Sequence, residues 1–224
     1  MATKYSPKIV NDGLILSLDA ANNKSYPGSG TTWTDIIGGN NGTLTNGPTF
    51  SSQNGGYITF DGTNDYVGSF SSQISDTNSK TILAFIYPTT TSRAGICGIR
   101  SGQNGWVFTI NRTSPGDLTY FHTTGTTCEV AAGITTNKWW HISVTYSTST
   151  ATIVLYKNGV QVGSPITSVS SMVSSAFNGV IGDEESTVTA PFKGNIASVQ
   201  IYNRSLNAIE VLQNYNATKS RFGL

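Results

Sequence analysis

Charged side chains are scarce, at 11% of the chain. Helices with solvent-facing sides draw on Glu, Lys and Arg, so this composition argues against a helical protein. Thirteen basic and twelve acidic residues leave a net charge of +1, and the basic ones form no cluster. Nucleic acid is thereby excluded as a partner, because phosphate binding needs a concentrated positive face. No apolar run approaches the length of a membrane span, which excludes insertion by a helix. The start, MATKYSPKIVNDG, has no apolar h-region and so predicts no signal peptide and synthesis in a cytoplasm without general secretion. There are only two cysteines, Cys97 and Cys128. Neither lies in a Cys-x-x-Cys pair or beside zinc-spaced histidines, so two buried free thiols are expected, with a disulfide as the alternative.

What the chain does have is glycine (24 residues) together with many Ser, Thr and Asn, broken by short apolar runs. The clearest pattern runs from Asn137 to Ile166. Trp140, Ile142, Val144 and Tyr146 share one parity, with His141, Ser143 and Thr145 between them, which is the period of a half-buried strand. Ala151–Tyr156 is apolar on both parities and fits a strand covered on both faces. Asn158-Gly159 then separates it from Val160–Val162, and Asn-Gly between apolar runs predicts a type I′ hairpin with positive φ at both positions. This meander sets the class of the chain.

Further strands are expected at Gly13–Leu18, Gly56–Phe60, from Asp65, at Lys80–Tyr87, Gly95–Ile99, Gly105–Ile110, Leu118–His122, Cys128–Ala132, Gly179–Gly182 and Asn195–Tyr202. The tract between Asp19 and Gly56 reads as turn chemistry, since aromatic and aliphatic anchors recur among its Gly, Asn, Ser and Pro clusters. Only Ser205–Tyr215 has helical spacing, with Leu206, Ile209 and Leu212 on one face and Ser205 as N-cap. Short strands about ten residues apart, plus one terminal helix, predict an all-β fold: a single antiparallel two-sheet jelly-roll sandwich. Residues 1–12 read as an extended arm, 13–217 as the domain and 218–224 as a tail.

The pieces YITFDGTNDYV, NKWWHISVTYS, LYKNGVQVGS and FKGNIASVQIYNRSLNAIEV, in that order, resemble the laminin-G-like, concanavalin A-like jelly-roll superfamily. The flanks PKIVNDGLILSLDAANNKSYPGSGTTWTDI and QNYNATKSRFGL resemble LamG-like virion proteins of tailed phages, many of them marine. That resemblance implies a virion location, with other capsid or tail proteins as partners and, by analogy with symmetric shells, a homo-oligomer.

The superfamily includes glucanases and binding modules, so catalysis has to be read from residues. Retaining glycosidases hold two carboxylates about 5 Å apart, and in jelly-roll glucanases these stand as Glu-x-Asp-x-x-Glu. The four glutamates, Glu129, Glu184, Glu185 and Glu210, do not form that pattern. His122 and His141 stand near no Ser or Cys nucleophile motif. The expectation is that the chain is not an enzyme and has no catalytic residues.

Asp183-Glu184-Glu185 is the densest acidic cluster, and the residues alone favour an exposed acidic turn. VIGDEE before FKGNIASVQIY also resembles the calcium loop of pentraxins. That likeness implies calcium held by Asp183, Glu184 and Glu185, with Gln103 and Asn104 as neutral ligands from a facing loop. Calcium takes about six to eight oxygens and several charges, so such a site would be weak. In FDGTNDYV, Asp61, Asn64 and Asp65 are expected to make side-chain turns joining two strands, with Tyr66 entering the core. Trp106, Tyr120 and His122 lie on successive strands, where they could floor a glycan site or pack in the core.

Three functions compete at this level. One is a virion surface protein (capsid decoration, fibre or tail-associated) whose jelly roll adheres to the particle and to cell-surface glycans. The second is a free carbohydrate-binding module, and the third is a glycan-cleaving enzyme.

Overall fold

The dense apolar run beginning at Lys80 forms strand β7 (Lys80–Pro88), nearly every residue of which is buried. It lies at the middle of one sheet, where both faces are covered, as an apolar run on both parities requires. The computed structural model describes residues 7–70, 78–101, 104–122, 125–173, 175, 178–185 and 189–224. In it β7 pairs on one side with β12 (Trp140–Ser147), followed outward by β13 (Thr152–Lys157) and β14 (Val160–Ile166). On its other side lies β16 (Lys193–Tyr202). One half of β16 pairs with β5 (Tyr57–Asp61), which is flanked by β4 (Thr49–Ser51); the other half pairs with β1 (Leu14–Asp19).

The second sheet runs β11 (Thr126–Ala131), β10 (Asp117–His122), β9 (Asn104–Ile110), β8 (Ala94–Ser101), β15 (Gly179–Ile181), β6 (Tyr66–Phe70), β3 (Gly42–Thr45) and β2 (Thr32–Trp33). Among the described residues every pairing in both sheets is antiparallel. The all-β, two-sheet jelly-roll architecture is therefore as the sequence indicates. The Asn158-Gly159 hairpin also forms as expected, with φ of 50° and 77°.

Three short strands, β2, β3 and β4, lie in the tract read as turns. They have two to four residues each, too few to display a period. Asp35 organises the loop after β2. Its Oδ1 accepts from the Ser17 and Ile37 amides and its Oδ2 from those of Gly38 and Asn40, at 2.9 to 3.1 Å. Asp65 does the same for the β5–β6 turn, accepting from the Asp61 amide at 3.0 Å, while Asp61 accepts from Thr63 at 2.7 Å. Val67, not Tyr66, enters the core there; Tyr66 is half-buried on the opposite parity.

The main core lies between the sheets. Ile82, Ala84, Ile86, Ile142 and Val144 meet Ile99, Trp106, Phe108, Ile110 and Tyr120 across it. Cys97 and Cys128 are both free and buried. They stand on β8 and β11, three strand spacings or ~14 Å apart, too far for a disulfide.

The outer face of the first sheet is closed by helix α1 (Ala208–Thr218) and the 3-10 turn Lys219–Phe222. The N-cap is Asn207, not Ser205. Its side chain accepts from the Ile209 and Glu210 amides while Glu210 reaches back to the Asn207 amide, a complete capping box. The later start rotates the buried stripe onto Val211 and Asn214, leaving Ile209 77% exposed. Lys8 and Val10, within the segment read as an arm, bond to this helix. The Val10 amide donates to Asn214 Oδ1 at 2.8 Å, and Gln213 Nε2 donates to the Lys8 carbonyl at 2.8 Å. In the segment read as a tail, Phe222 stacks on Phe85 with centroids 4.4 Å apart, and Arg221 pairs with Asp19 at 2.9 Å.

Candidate functional site

The structure brings Trp106, Tyr120 and His122 together, but in the interior. Trp106 and Tyr120 stack with centroids 6.4 Å apart, Tyr120 meets His122 at 5.9 Å, and His122 meets Tyr146 of the opposite sheet at 5.0 Å. None is more than 2% exposed. They occupy the inward parity of β9 and β10, so they cannot floor a glycan site. Burial, with the Lys80 charge added, lowers the His122 pKa to about 4.

The acidic stretch is not an exposed turn. Asp183 and Glu184 are 1% and 0% exposed. Asp183 Oδ1 accepts from the Glu184, Thr189 and Ala190 amides, closing the loop that follows β15. Glu184 is gripped by the Arg93 guanidinium, with Nε to Oε1 at 2.7 Å and Nη2 to Oε2 as well. The loop lies directly on the outer side of β8. A Cβ on Gly95 would come within 2.2 Å of the Asp183 carbonyl carbon, and one on Gly98 within 2.5 Å of the Glu184 oxygen.

These residues do not fit a calcium site either. Asn104 pairs with Ser101 at the far end of the β8–β9 ladder, three residues or ~10 Å along the strand beyond Gly98, where Glu184 lies, and six or ~20 Å beyond Gly95, where Asp183 lies. Glu185 is half-buried beside Glu184, and Gln103 lies outside the described residues. Among the described residues no group of three or more His, Cys, Asp or Glu side chains could hold a metal. Asp183 Oδ1 and both Glu184 oxygens are engaged within the loop and by Arg93, while Asp183 Oδ2 is buried with no hydrogen-bond partner among the described residues.

The opposite parity of the same strands carries the surface that the sequence reading passed over. Phe121 of β10 faces outward and is half-exposed. The Arg112 guanidinium lies 4.5 Å from its ring centroid and that of Arg100 5.2 Å. Each such contact contributes about 0.5–1 kcal/mol when solvent-exposed. Arg112 Nη1 donates to Thr127 Oγ1 at 3.2 Å, and Thr119 Oγ1 donates to Glu129 Oε2 at 2.9 Å. The available signal was Phe121 itself, an aromatic out of phase with Tyr120 and His122.

Arg112 leaves the β9–β10 turn beside a cleft of about 220 Å³, lined by Pro88, Thr90, Thr91, Asn111, Ile134 and Thr135 among others. It is smaller than the ~300–1,000 Å³ of drug-sized ligand sites, and threonines alternate with Pro88, Pro115 and Ile134 in its lining. Asn111, with φ of 57°, holds the wall in place. Its Nδ2 donates to the Ser92 carbonyl at 3.1 Å and its Oδ1 accepts from the Gly116 amide at 2.7 Å.

A family model described as the concanavalin A-like lectin/glucanases superfamily matches residues 61–212. No curated protein matches the sequence. Among solved structures, Trypanosoma rangeli sialidase in complex with 2,3-difluoro-KDN superposes with a TM-score of 0.69 at 15% identity, over 98% of this chain and 36% of the sialidase. The botulinum neurotoxin serotype G binding domain gives 0.67 at 16% identity, over 90% and 50%. The receptor binding domain of a botulinum neurotoxin C/D mosaic serotype gives 0.68 at 14%, over 92% and 51%. The chain thus spans about a third of the sialidase and half of each toxin domain, and at these identities the likeness is one of fold.

These matches correct the expectation that the chain is not an enzyme. Its fold neighbours include sialidases as well as binding domains, so they support neither catalysis nor its exclusion.

Proposed function

The chain belongs to the concanavalin A-like lectin/glucanases superfamily, and on that premise we propose that it is a lectin-like, glycan-binding domain displayed on the virion of a tailed phage. The observation that carries this reading is the unequal treatment of the two outer faces. The first sheet is sealed by α1 and the Phe222 turn. The second presents Phe121 between two guanidinium groups, next to a hydroxyl-lined cleft. A jelly roll covered by a helix on one face and presenting an arginine-flanked aromatic on the other has one side to be mounted by and one to bind with.

The mounting surface is the helix side, where Ile209, Leu212 and Val160 are exposed and Leu212 lies against Gly159. Its partners are other capsid or tail proteins, with the domain present in several copies around a symmetric particle. Residues 8–10 and the final turn support that side from within, since both pack on the domain itself.

Two measurements test the reading. Antibodies raised against the domain should label intact particles in immunogold electron microscopy, and the purified chain should bind on a glycan array. Array binding without labelling leaves a free carbohydrate-binding module. Labelling without any glycan bound removes the lectin half of the reading.

A further inference from the structure

The cover that α1 and the final turn lay over the first sheet stops at Phe222. The helix begins beside Thr81, whose Oγ1 accepts from the Leu206 amide at 2.8 Å. Tyr87 lies six residues further along β7, ~20 Å away. The Phe222 ring meets Trp139 with centroids 4.5 Å apart. Past it, Tyr57 of β5 and Tyr87 of β7 pack on Trp139 with centroids at 5.6 and 5.5 Å, tilted to it by 58° and 59°. Both tyrosines are half-buried. Rings tilted in this way stand as ridges with grooves between them, not as a flat platform.

The polar atoms beside these rings are free donors. Thr59 Oγ1 donates to Asn195 Oδ1 at 2.9 Å and the Tyr57 hydroxyl to Gln53 Oε1 at 3.2 Å, which occupies the two amide acceptors. Asn195 stands directly opposite both Thr59 and Tyr87. Among the described residues Asn195 Nδ2, the Tyr87 hydroxyl and Trp139 Nε1 have no hydrogen-bond partner. A matching ligand brings acceptors and apolar rings. A proline-rich segment in the polyproline II form does both, since its carbonyls make no internal hydrogen bonds and its prolines have no N–H. Alternate residues of that helix stand ~6 Å apart, close to the 5.5 and 5.6 Å between the rings. A sugar hydroxyl would bring a donor with every acceptor, and this row has no free amide acceptor to meet it.

We propose that a proline-rich, extended segment of the protein carrying this domain docks across Trp139 between Tyr57 and Tyr87, its carbonyls accepting from the Tyr87 hydroxyl and Asn195 Nδ2. The inference rests on the proposed mounting by the helix side and names the chemistry of the partner. Thr59, Asn195, Tyr87, Trp139 and Tyr57 carry no charge, so the contact is insensitive to salt.

The test is a titration of the isotope-labelled full chain, followed by proton–nitrogen NMR, with three probes: decaproline, a Gly-Ser decamer and a neutral hexasaccharide. The Trp139 indole N–H, identified by its absence in Trp139→Phe, and the Asn195 side-chain amide report on the site. Decaproline should shift both signals saturably and bind at least about tenfold more tightly than the flexible Gly-Ser decamer. Tyr57→Ala should lose at least about fivefold. Tyr87→Phe, which keeps the ring and drops the donor, should lose about two- to tenfold. Should Tyr57→Ala fail to fold by circular dichroism, Tyr87→Phe and the ranking of the three probes carry the same decision.

Decaproline leaving both signals in place, the Gly-Ser decamer matching it, or a folded variant of unchanged affinity overturns the docking site. The hexasaccharide shifting these signals in place of decaproline would make the rings a sugar platform, and overturns it too. Each of these outcomes leaves particle labelling and array binding untouched, so the docking site and the proposed function fail separately.

Discussion

His122 and His141 are each 2% exposed and packed among rings, His141 between Phe85 and Tyr215 with centroids 4.7 and 5.6 Å away. Burial lowers the His141 pKa to about 3 and, with Lys80, that of His122 to about 4. In the unfolded chain both titrate near ~6.5. The unfolded state therefore binds more protons below pH 6.5. The stability these groups hold above that pH is lost as the pH falls towards the folded values. At pH 4.5 the loss is on the order of 2–3 kcal/mol for each. Urea unfolding of wild type and His141→Phe at pH 7.5 and 4.5 checks this: the stability difference between the two pH values should shrink in the variant by roughly that amount. An unchanged difference would mean that His141 is protonated in the native state.

The same scale shows what the sequence did and did not make legible about the site. That β9 and β10 carry aromatics was plain, and so was their alternation. Which parity faces inward is decided by the second sheet's position over the first, which no local pattern states. Trp106, Tyr120 and His122 were thus left between a glycan floor and the core, while Phe121, on the exposed parity, went unremarked. Arg112 reaches Phe121 from a turn nine residues away in sequence, a contact made only by the fold of that turn. Asp183 and Glu184 misled for a related reason. An acidic run is normally solvated, but here backbone amides hold Asp183 Oδ1 and Arg93 holds Glu184 against the glycines of β8.

At the scale of elements, strands with long apolar or alternating runs were readable, while β2, β3 and β4 were not, because so few residues cannot show a period. Two elements owe their place to a single residue each. Phe222 is 8% exposed and closes the sheet face over Phe85 and Trp139, at 4.4 and 4.5 Å between centroids. Phe222→Ala should cost about 3 kcal/mol, the lower end for a buried phenylalanine since the site is at the margin, and should appear as a lower midpoint in thermal unfolding. Gly95 admits the 183–185 loop onto β8, and the atoms its Cβ would strike are backbone. Gly95→Ala should therefore destabilise by about 1–3 kcal/mol. Amide exchange should also quicken at Ala190, whose N–H is held by Asp183 at 2.9 Å. Faster exchange spread evenly over the chain would point to general destabilisation instead of release of this loop.

For the molecule as a whole, the question is whether the two outer faces do different work. They lie on opposite sides of one sandwich, separated by both sheets and the core between them, so a bulky group on one cannot reach the other. Ile209 is 77% exposed on the helix side, and Thr127 is exposed beside Arg112 on the arginine-flanked side. Two variants, Ile209→Cys and Thr127→Cys, can be biotinylated selectively because Cys97 and Cys128 are buried; desolvation raises both native thiols, that of Cys128 to about 12. Tethered through position 209 to a streptavidin surface, the domain should bind glycan from solution with the affinity of the untethered chain. Tethered through position 127, it should lose most of its binding capacity, and the bound signal per immobilised molecule measures this. Equal capacity in both orientations would place the ligand at neither the β8–β11 face nor its rim cleft. Loss at position 209 with retention at 127 would exchange the faces, making the helix side the binding surface and the arginine-flanked side the mount.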